Sequence, residues 1–245
     1  MTMIARTLNF WLMAVLLPVV QSLRIESSRD FPLGSEVENL SLRPSGSVLA
    51  TVYTFPRIYE VAHSPNSTPR LLHVFQNTTG ACGIAESSTP DVFFVLTGNF
   101  SFQNPLGPMP GSYAVHRLSF EECGRPIVKE IAALGTIAQP NGMTAVPNTP
   151  YMLIADSYGG FVYRFNTETL QLTTYFDHPL LKPQPVAGIV FGVNGVKLSG
   201  GYSTSATRTN ILWRGLRLLA RKWFSKATRR LSPRPHPPMT SLSMT

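Results

Sequence analysis

The chain has 245 residues, with 21 Lys or Arg against 13 Asp or Glu, a formal net charge of +8 and a mean hydropathy of +0.05. With 43% hydrophobic and only 14% charged residues, it has the means to build a core and is not a disordered chain. Its two cysteines exclude a disulfide-dense scaffold and, without a His partner at ligand spacing, a zinc module.

In chain order, residues 1–22 read as a secretory signal. Arg6 supplies the positive start, Phe10–Val20 the apolar stretch, and Val20-Gln21-Ser22 the small residues of a cleavage site. An apolar run of this length is too short to span a bilayer, which predicts no membrane span; a buried first strand is the alternative. Export would place the chain in an oxidising compartment. Cys82 and Cys123 are then expected to pair, closing a loop of about 40 residues worth roughly 4 kcal/mol, with two buried free thiols as the alternative. Asn39, Asn66, Asn77 and Asn99 each open an Asn-X-Ser/Thr acceptor. Asn66, Asn77 and Asn99 are the expected glycan carriers, since Asn39 falls on an inner strand.

Short strands then follow at regular spacing, punctuated by Gly, Pro, Asn and Asp, an all-β signal. A first unit holds Glu38–Leu42, Val48–Thr54, Arg57–Ala62 and Leu71–Gln76. A second holds Ala81–Ile84, Asp91–Leu96, Tyr113–Leu118 and Ile127–Leu134. The third is the clearest, with Asn141–Val146, Tyr151–Ala155, Phe161–Phe165 and Leu170–Phe176 separated by tight turns. A fourth opens at Gly192–Leu198, where Gly-Val-Asn-Gly echoes the Pro-Asn-Gly-Met at 140–143. Four strands in about 36–50 residues is the size of one β-propeller blade. The expectation is a β-propeller of the six-bladed type over residues 23–202, incomplete at about three and a half blades; a β-sandwich of the same strands is the alternative.

After Tyr202 the character changes. Residues 203–245 carry nine Arg or Lys and no acid, leaving 12 basic against 13 acidic residues in the rest. A basic tail suits nucleic acid or an anionic membrane, and neither suits an exported chain, so no nucleic-acid partner is expected. Shifted-frame codons from Tyr202 onward permit a Tyr-Phe-Ser-Asn strand that the fourth unit lacks, which makes a frame error the expected origin of this tail. A real basic tail is the alternative.

In a propeller the inner strands begin at one rim and line a central pocket. Glu38, Asn39, Asn141 and Asn194 stand at those starts, with Asp156 at a strand end nearby, and are the candidate ligand-binding residues. An acid and several amide oxygens can hold a hard cation such as calcium or orient a polar organic molecule. Plain Asn-Gly turns are the alternative. No nucleophile elbow, P-loop, zincin helix or dinucleotide fingerprint occurs. The histidines His63, His73, His116, His178 and His236 show no ligand spacing. The aromatics Phe93, Phe94, Phe100, Phe102, Tyr113 and Phe120 read as core, and the Pro-rich insert Gly98–Pro110 as a possible lid.

The phrases PNGMTAVPNTPYMLIADSYGGFVYRFNTET and GVNGVKLSGGY resemble the six-bladed propellers of the SMP-30/gluconolactonase-like superfamily. FPLGSEVENLSLRPSGSVLATVY is similar to openings of its secreted fungal members from secondary-metabolite clusters, among them the hetero-Diels–Alderases of tropolonic sesquiterpenoid biosynthesis. The resemblance covers residues 28–202. It implies a small-molecule substrate and places Glu38, Asn141 and Asn194 near the superfamily's metal-binding acid and asparagines. The lactonases carry Glu-Gly-Pro where this chain has Glu38-Asn39-Leu40. The resemblance therefore implies a pocket without a cofactor that joins a quinone methide to a polyene. A calcium-dependent lactone hydrolase and a non-enzymatic binding propeller are the alternatives.

Overall fold

The computed structural model describes residues 29–64, 67–101, 107–186, 189–199, 202–207 and 216–217. Residues 1–22, expected to be a signal segment, Asn66, Phe102, His236 and most of the basic tail lie outside these residues. Strands β1 (Val37–Leu42), β2 (Val48–Val52), β3 (Arg57–Val61) and β4 (Arg70–Val74) pair in sequence order as one antiparallel sheet. The second sheet takes β5 (Gly80–Glu86) and β6 (Phe93–Gly98). The chain then makes a short ribbon, β7 (Phe100–Ser101) with β8 (Gly107–Pro108), and returns to that sheet with β9 (Ala114–Phe120) and β10 (Pro126–Ala133). The third sheet is β11 (Pro140–Ala145), β12 (Tyr151–Asp156), β13 (Phe161–Asn166) and β14 (Leu172–Asp177).

A 3-10 turn at Pro179–Leu181 and a small hairpin, β15 (Gln184–Val186) with β16 (Ile189–Phe191), lead to β17 (Val193–Ser199). That strand pairs with β18 (Tyr202–Thr207), and β18 with β19 (Leu216–Arg217). The protein is all-β, with three four-stranded antiparallel blades followed by further paired strands. Pairing continues across residue 202, because Ser199 stands opposite Tyr202 and Val193 opposite Thr207.

The blades stack in series, and strand alternation explains how. Successive side chains of β6 point to opposite faces. Phe93 and Val95 join Leu49, Ile58, Phe75 and Leu118 in the core between the first two blades. Phe94 and Leu96 join Met143, Met152, Ile154 and Phe165 in the core between the second and third. β12 divides likewise, with Met152 and Ile154 on the second blade's side, and Leu153 and Ala155 packed with Val193 and Val196. A strand buried on both faces reads as a continuous apolar run, as FFVL at 93–96 does.

The first seam also holds charge. Arg43, only 9% exposed, bonds Glu60 at 2.5 Å and Asp91 at 2.6 Å, and its guanidinium lies 3.4 Å from the centre of the Phe120 ring. Ser47 Oγ donates to the same Glu60 at 2.7 Å. The opposite face of the first blade is thinly covered. Phe31 meets Tyr59 edge-on at 5.6 Å, while Leu40 and Leu42 are 57% and 62% exposed.

The expected disulfide is not formed: Cys82 and Cys123 are both free, the first buried and the second exposed. Topology forbids the pair. Cys82 lies on β5, Cys123 in the turn joining β9 to β10, and β6 and β9 intervene at about 4.8 Å per strand. Cys82 is level with Leu96, which pairs with Val115, so the turn lies about 15 Å further along the strand direction. A disulfide needs Cα atoms within about 7 Å.

Candidate functional site at the bulged rim

All four inner strands are interrupted at the same place, just after they begin. The register slips between Val37 and Asn39 in β1, Ala81 and Ile84 in β5, Pro140 and Met143 in β11, and Val193 and Gly195 in β17. The residues freed from pairing are Glu38, Cys82-Gly83, Asn141-Gly142 and Asn194. Bulges of this kind re-aim side chains and gather next to active sites. Three of the four carry glycine beside the freed side chain, as Cys-Gly, Asn-Gly and Asn-Gly.

Two of these glycines are required by the close approach of neighbouring inner strands. A Cβ on Gly83 would sit 2.4 Å from the Asn141 carbonyl oxygen, and one on Gly142 would sit 2.8 Å from Gly195 Cα. Glycine there lets the inner strands converge, which brings Glu38, Cys82 and Asn141 to one rim.

Asn141 is 5% exposed and lies near the half-buried Glu38, whose pKa burial raises above the usual carboxylate value while the Asn141 side chain partly offsets that rise. Gln139, one step before β11, reaches back to the first blade, where its Nε2 donates to Tyr53 Oη at 2.8 Å. Burial lifts the Tyr53 phenol well above its ordinary range. It also pushes the Cys82 thiol up to about 12 and the Tyr113 phenol up to about 12. Behind this polar group the rings of Tyr53 and Phe100 lie 4.4 Å apart, and Phe100 and Tyr113 5.6 Å apart. The described part of the Pro-rich insert anchors this wall: Phe100 turns inward, and the Met109 N–H donates to Tyr113 Oη at 3.0 Å.

The candidates divide. Glu38 and Asn141 are brought together, and Asn194 occupies the matching bulge of β17, with its carbonyl close to Gly142. Asn39 stands opposite Thr51, and its recorded contacts with that residue run through its backbone. Asp156 is committed to local structure. Its Oδ1 accepts from the Gln139 and Gly159 N–H groups at 2.8 and 2.9 Å, and its Oδ2 from the Ala138 N–H at 3.0 Å. Sequence reasoning missed Tyr53, Gln139 and Cys82. The repeated X-Gly pair was the signal for Cys82; nothing local marks Tyr53 or Gln139. Asn77 is exposed and Asn99 half-buried. Among the described residues, no three His, Cys, Asp or Glu side chains gather to hold a metal, and no helix is long and apolar enough to cross a membrane.

No protein-family model matches the chain, and no curated protein is significantly similar to it. Solved structures are similar in part. An auxiliary nutrient-binding protein from Bacteroides thetaiotaomicron is 15% identical with a TM-score of 0.49, over 70% of this chain and 36% of that one. A gluconolactonase from Xanthomonas campestris is 12% identical with a TM-score of 0.48, over 71% and 55%. A virginiamycin B lyase from Staphylococcus aureus is 13% identical with a TM-score of 0.39, over 73% and 66%. The match spans about half the length of the gluconolactonase and about a third of the nutrient-binding protein.

Proposed function

We propose that this chain belongs to a secreted propeller enzyme of fungal secondary metabolism. It would bind a small organic molecule at the bulged rim and promote its cyclisation, joining a quinone methide to a polyene in a hetero-Diels–Alder step. The supporting observation is the geometry of the rim, where the inner-strand bulges bring Glu38, Cys82 and Asn141 beside the ring wall of Tyr53, Phe100 and Tyr113. Burial raises the pKa of Cys82, Tyr53 and Tyr113 further above neutrality. A thiol held this high is a poor nucleophile, and His116 lies away from the rim, against Phe75 and Thr97 in the first seam.

Such a rim suits a reaction that needs placement. A cycloaddition of this type forms one C–C and one C–O bond while three π bonds become one, and no proton or co-reactant is consumed. The aromatic wall would hold the reacting planes together, and phenol or amide donors would stabilise charge developing on the quinone-methide oxygen. The test is to generate a quinone methide in situ with a polyene and compare product ratios with and without protein. Enantiomeric enrichment supports the proposal, and an unchanged racemic mixture sinks it.

The pairing of Glu38 with Asn141 favours one second reading, a calcium-dependent lactone hydrolase. Calcium takes about six to eight oxygen ligands, while the Asp156 carboxylate is already engaged by three N–H groups. The residues present do not complete that site, so no step is routed through the metal. Lactone hydrolysis abolished by a chelator would establish this second reading instead.

A further inference from the structure

The second seam has two ends. One is the bulged rim, where β5 and β11 begin. At the other, where those strands end, a cleft of about 510 Å³ opens between the second and third blades, a volume within the range of small-molecule pockets. Phe94, part of the core beneath, lines it from the inside. One wall is the second blade, with Ser88 in the turn after β5 and Arg117 on β9; the other is the third blade, with Thr149 before β12 and Thr167 and Glu168 after β13. The walls are tied together, because Ser88 Oγ donates to the Thr149 carbonyl at 3.2 Å. Arg117 and Glu168 bring opposite charges to the two walls. Both are exposed, and neither takes part in an ion pair among the described residues; Arg117 has a hydroxyl partner in Ser119 at 3.0 Å. Thr167 Oγ1 donates to the Pro150 carbonyl at 3.0 Å. With their protons committed to carbonyls, the Ser88 and Thr167 oxygens are left as acceptors.

We propose that this cleft binds a short peptide with both ends free, its carboxylate at Arg117 and its ammonium at Glu168. One charge of each sign on facing walls selects a zwitterion over a lone anion or cation. Hydroxyls left as acceptors suit the N–H groups of a peptide backbone. Packed sheets lie about 10 Å apart, and an extended chain advances about 3.3–3.6 Å per residue, so a peptide of about three residues spans from one wall to the other. The cleft and the rim lie at opposite ends of the seam, and the inference does not rest on the reaction proposed for the rim.

The test is titration of the full chain at low salt with trialanine, with its N-acetyl form and with its C-terminal amide, followed by calorimetry. Each blocked form loses one end charge and should bind about threefold more weakly, the scale of one exposed ion pair. In Glu168→Gln the acetylation penalty should vanish while the amidation penalty stays; in Arg117→Gln the reverse should hold. Both side chains are exposed, so both variants should keep the melting temperature of the unaltered chain. Absence of saturable trialanine binding, or equal binding of all three forms, would overturn the proposal. Penalties that persist in both variants would place the peptide elsewhere and overturn it as well. None of these outcomes bears on the product ratios that test the rim.

Discussion

The two seams that flank the second blade share a geometry and differ in what fills them. Between the first and second blades, an apolar layer of Leu49, Ile58, Phe93 and Val95 is bordered by the buried Arg43–Glu60–Asp91 group and by His116. His116 is 8% exposed and lies 2.9 Å from Thr97 Oγ1. Between the second and third blades, the layer is apolar and aromatic from Phe165 to Tyr113, with Tyr163 packed against it. The contrast separates two tasks. The first seam is tied by charge and so is sensitive to its surroundings, while the second supplies a buried apolar floor beneath the candidate site.

The harshest way to break the comparison is Gly142→Val. The new side chain meets backbone of β17, and we expect a loss above about 4 kcal/mol in denaturant titrations, or failure to fold. Next come paired truncations. Phe165→Ala in the second seam should cost about 3–5 kcal/mol by opening a cavity, and Arg43→Ala in the first about 1–3 kcal/mol, because Asp91 loses its guanidinium partner while Glu60 keeps Arg70 and Ser47. They differ in pH response, because protonating Asp91, left without its guanidinium partner, should partly relieve the Arg43→Ala variant and leave Phe165→Ala unaffected.

A smaller effect belongs to His116, whose pKa burial lowers to about 4 from an ordinary 6.5. The folded state keeps the ring neutral and the unfolded state protonates it first. This stability is therefore full above pH 6.5 and is lost as pH falls toward 4, on the order of 2–3 kcal/mol in all. His116→Gln should flatten the melting temperature over that window. The smallest effect is none. With both cysteines free, a reductant should leave the melting temperature unchanged, and Cys123 alone should react with a thiol reagent in the folded protein.

Most of the blade pattern was legible. Expected strands such as Arg57–Ala62 and Tyr151–Ala155 agree with the observed ones to within about two residues, because Pro-Ser-Gly and Asp-Ser-Tyr-Gly-Gly turns fix their ends locally. The rim was legible in part. The positions of Glu38, Asn141 and Asn194 near inner-strand starts were legible because those starts can be counted, whereas the bulges at these residues arise from pairing between strands. Tyr53 and Gln139 are 86 residues apart in sequence, and only the stacking of three blades brings them together. Cys82 was assigned to the wrong chemistry, since a secretory reading favours a bridge and says nothing of the two strands between it and Cys123. The 3-10 turn and the hairpin before β17 carry proline without a strand pattern, and were not foreseen.

The serial stacking of the blades has a consequence for the chain as it is synthesised. Phe94 and Leu96 are complete on their own strand by residue 98, yet Met143, Met152 and Phe165, which cover them, follow some dozens of residues later. At about 5–20 residues per second of translation, that apolar face stays uncovered for several seconds. During that interval the nascent protein presents a half-finished sheet to its surroundings, and a chaperone or the next blade competes for the same surface.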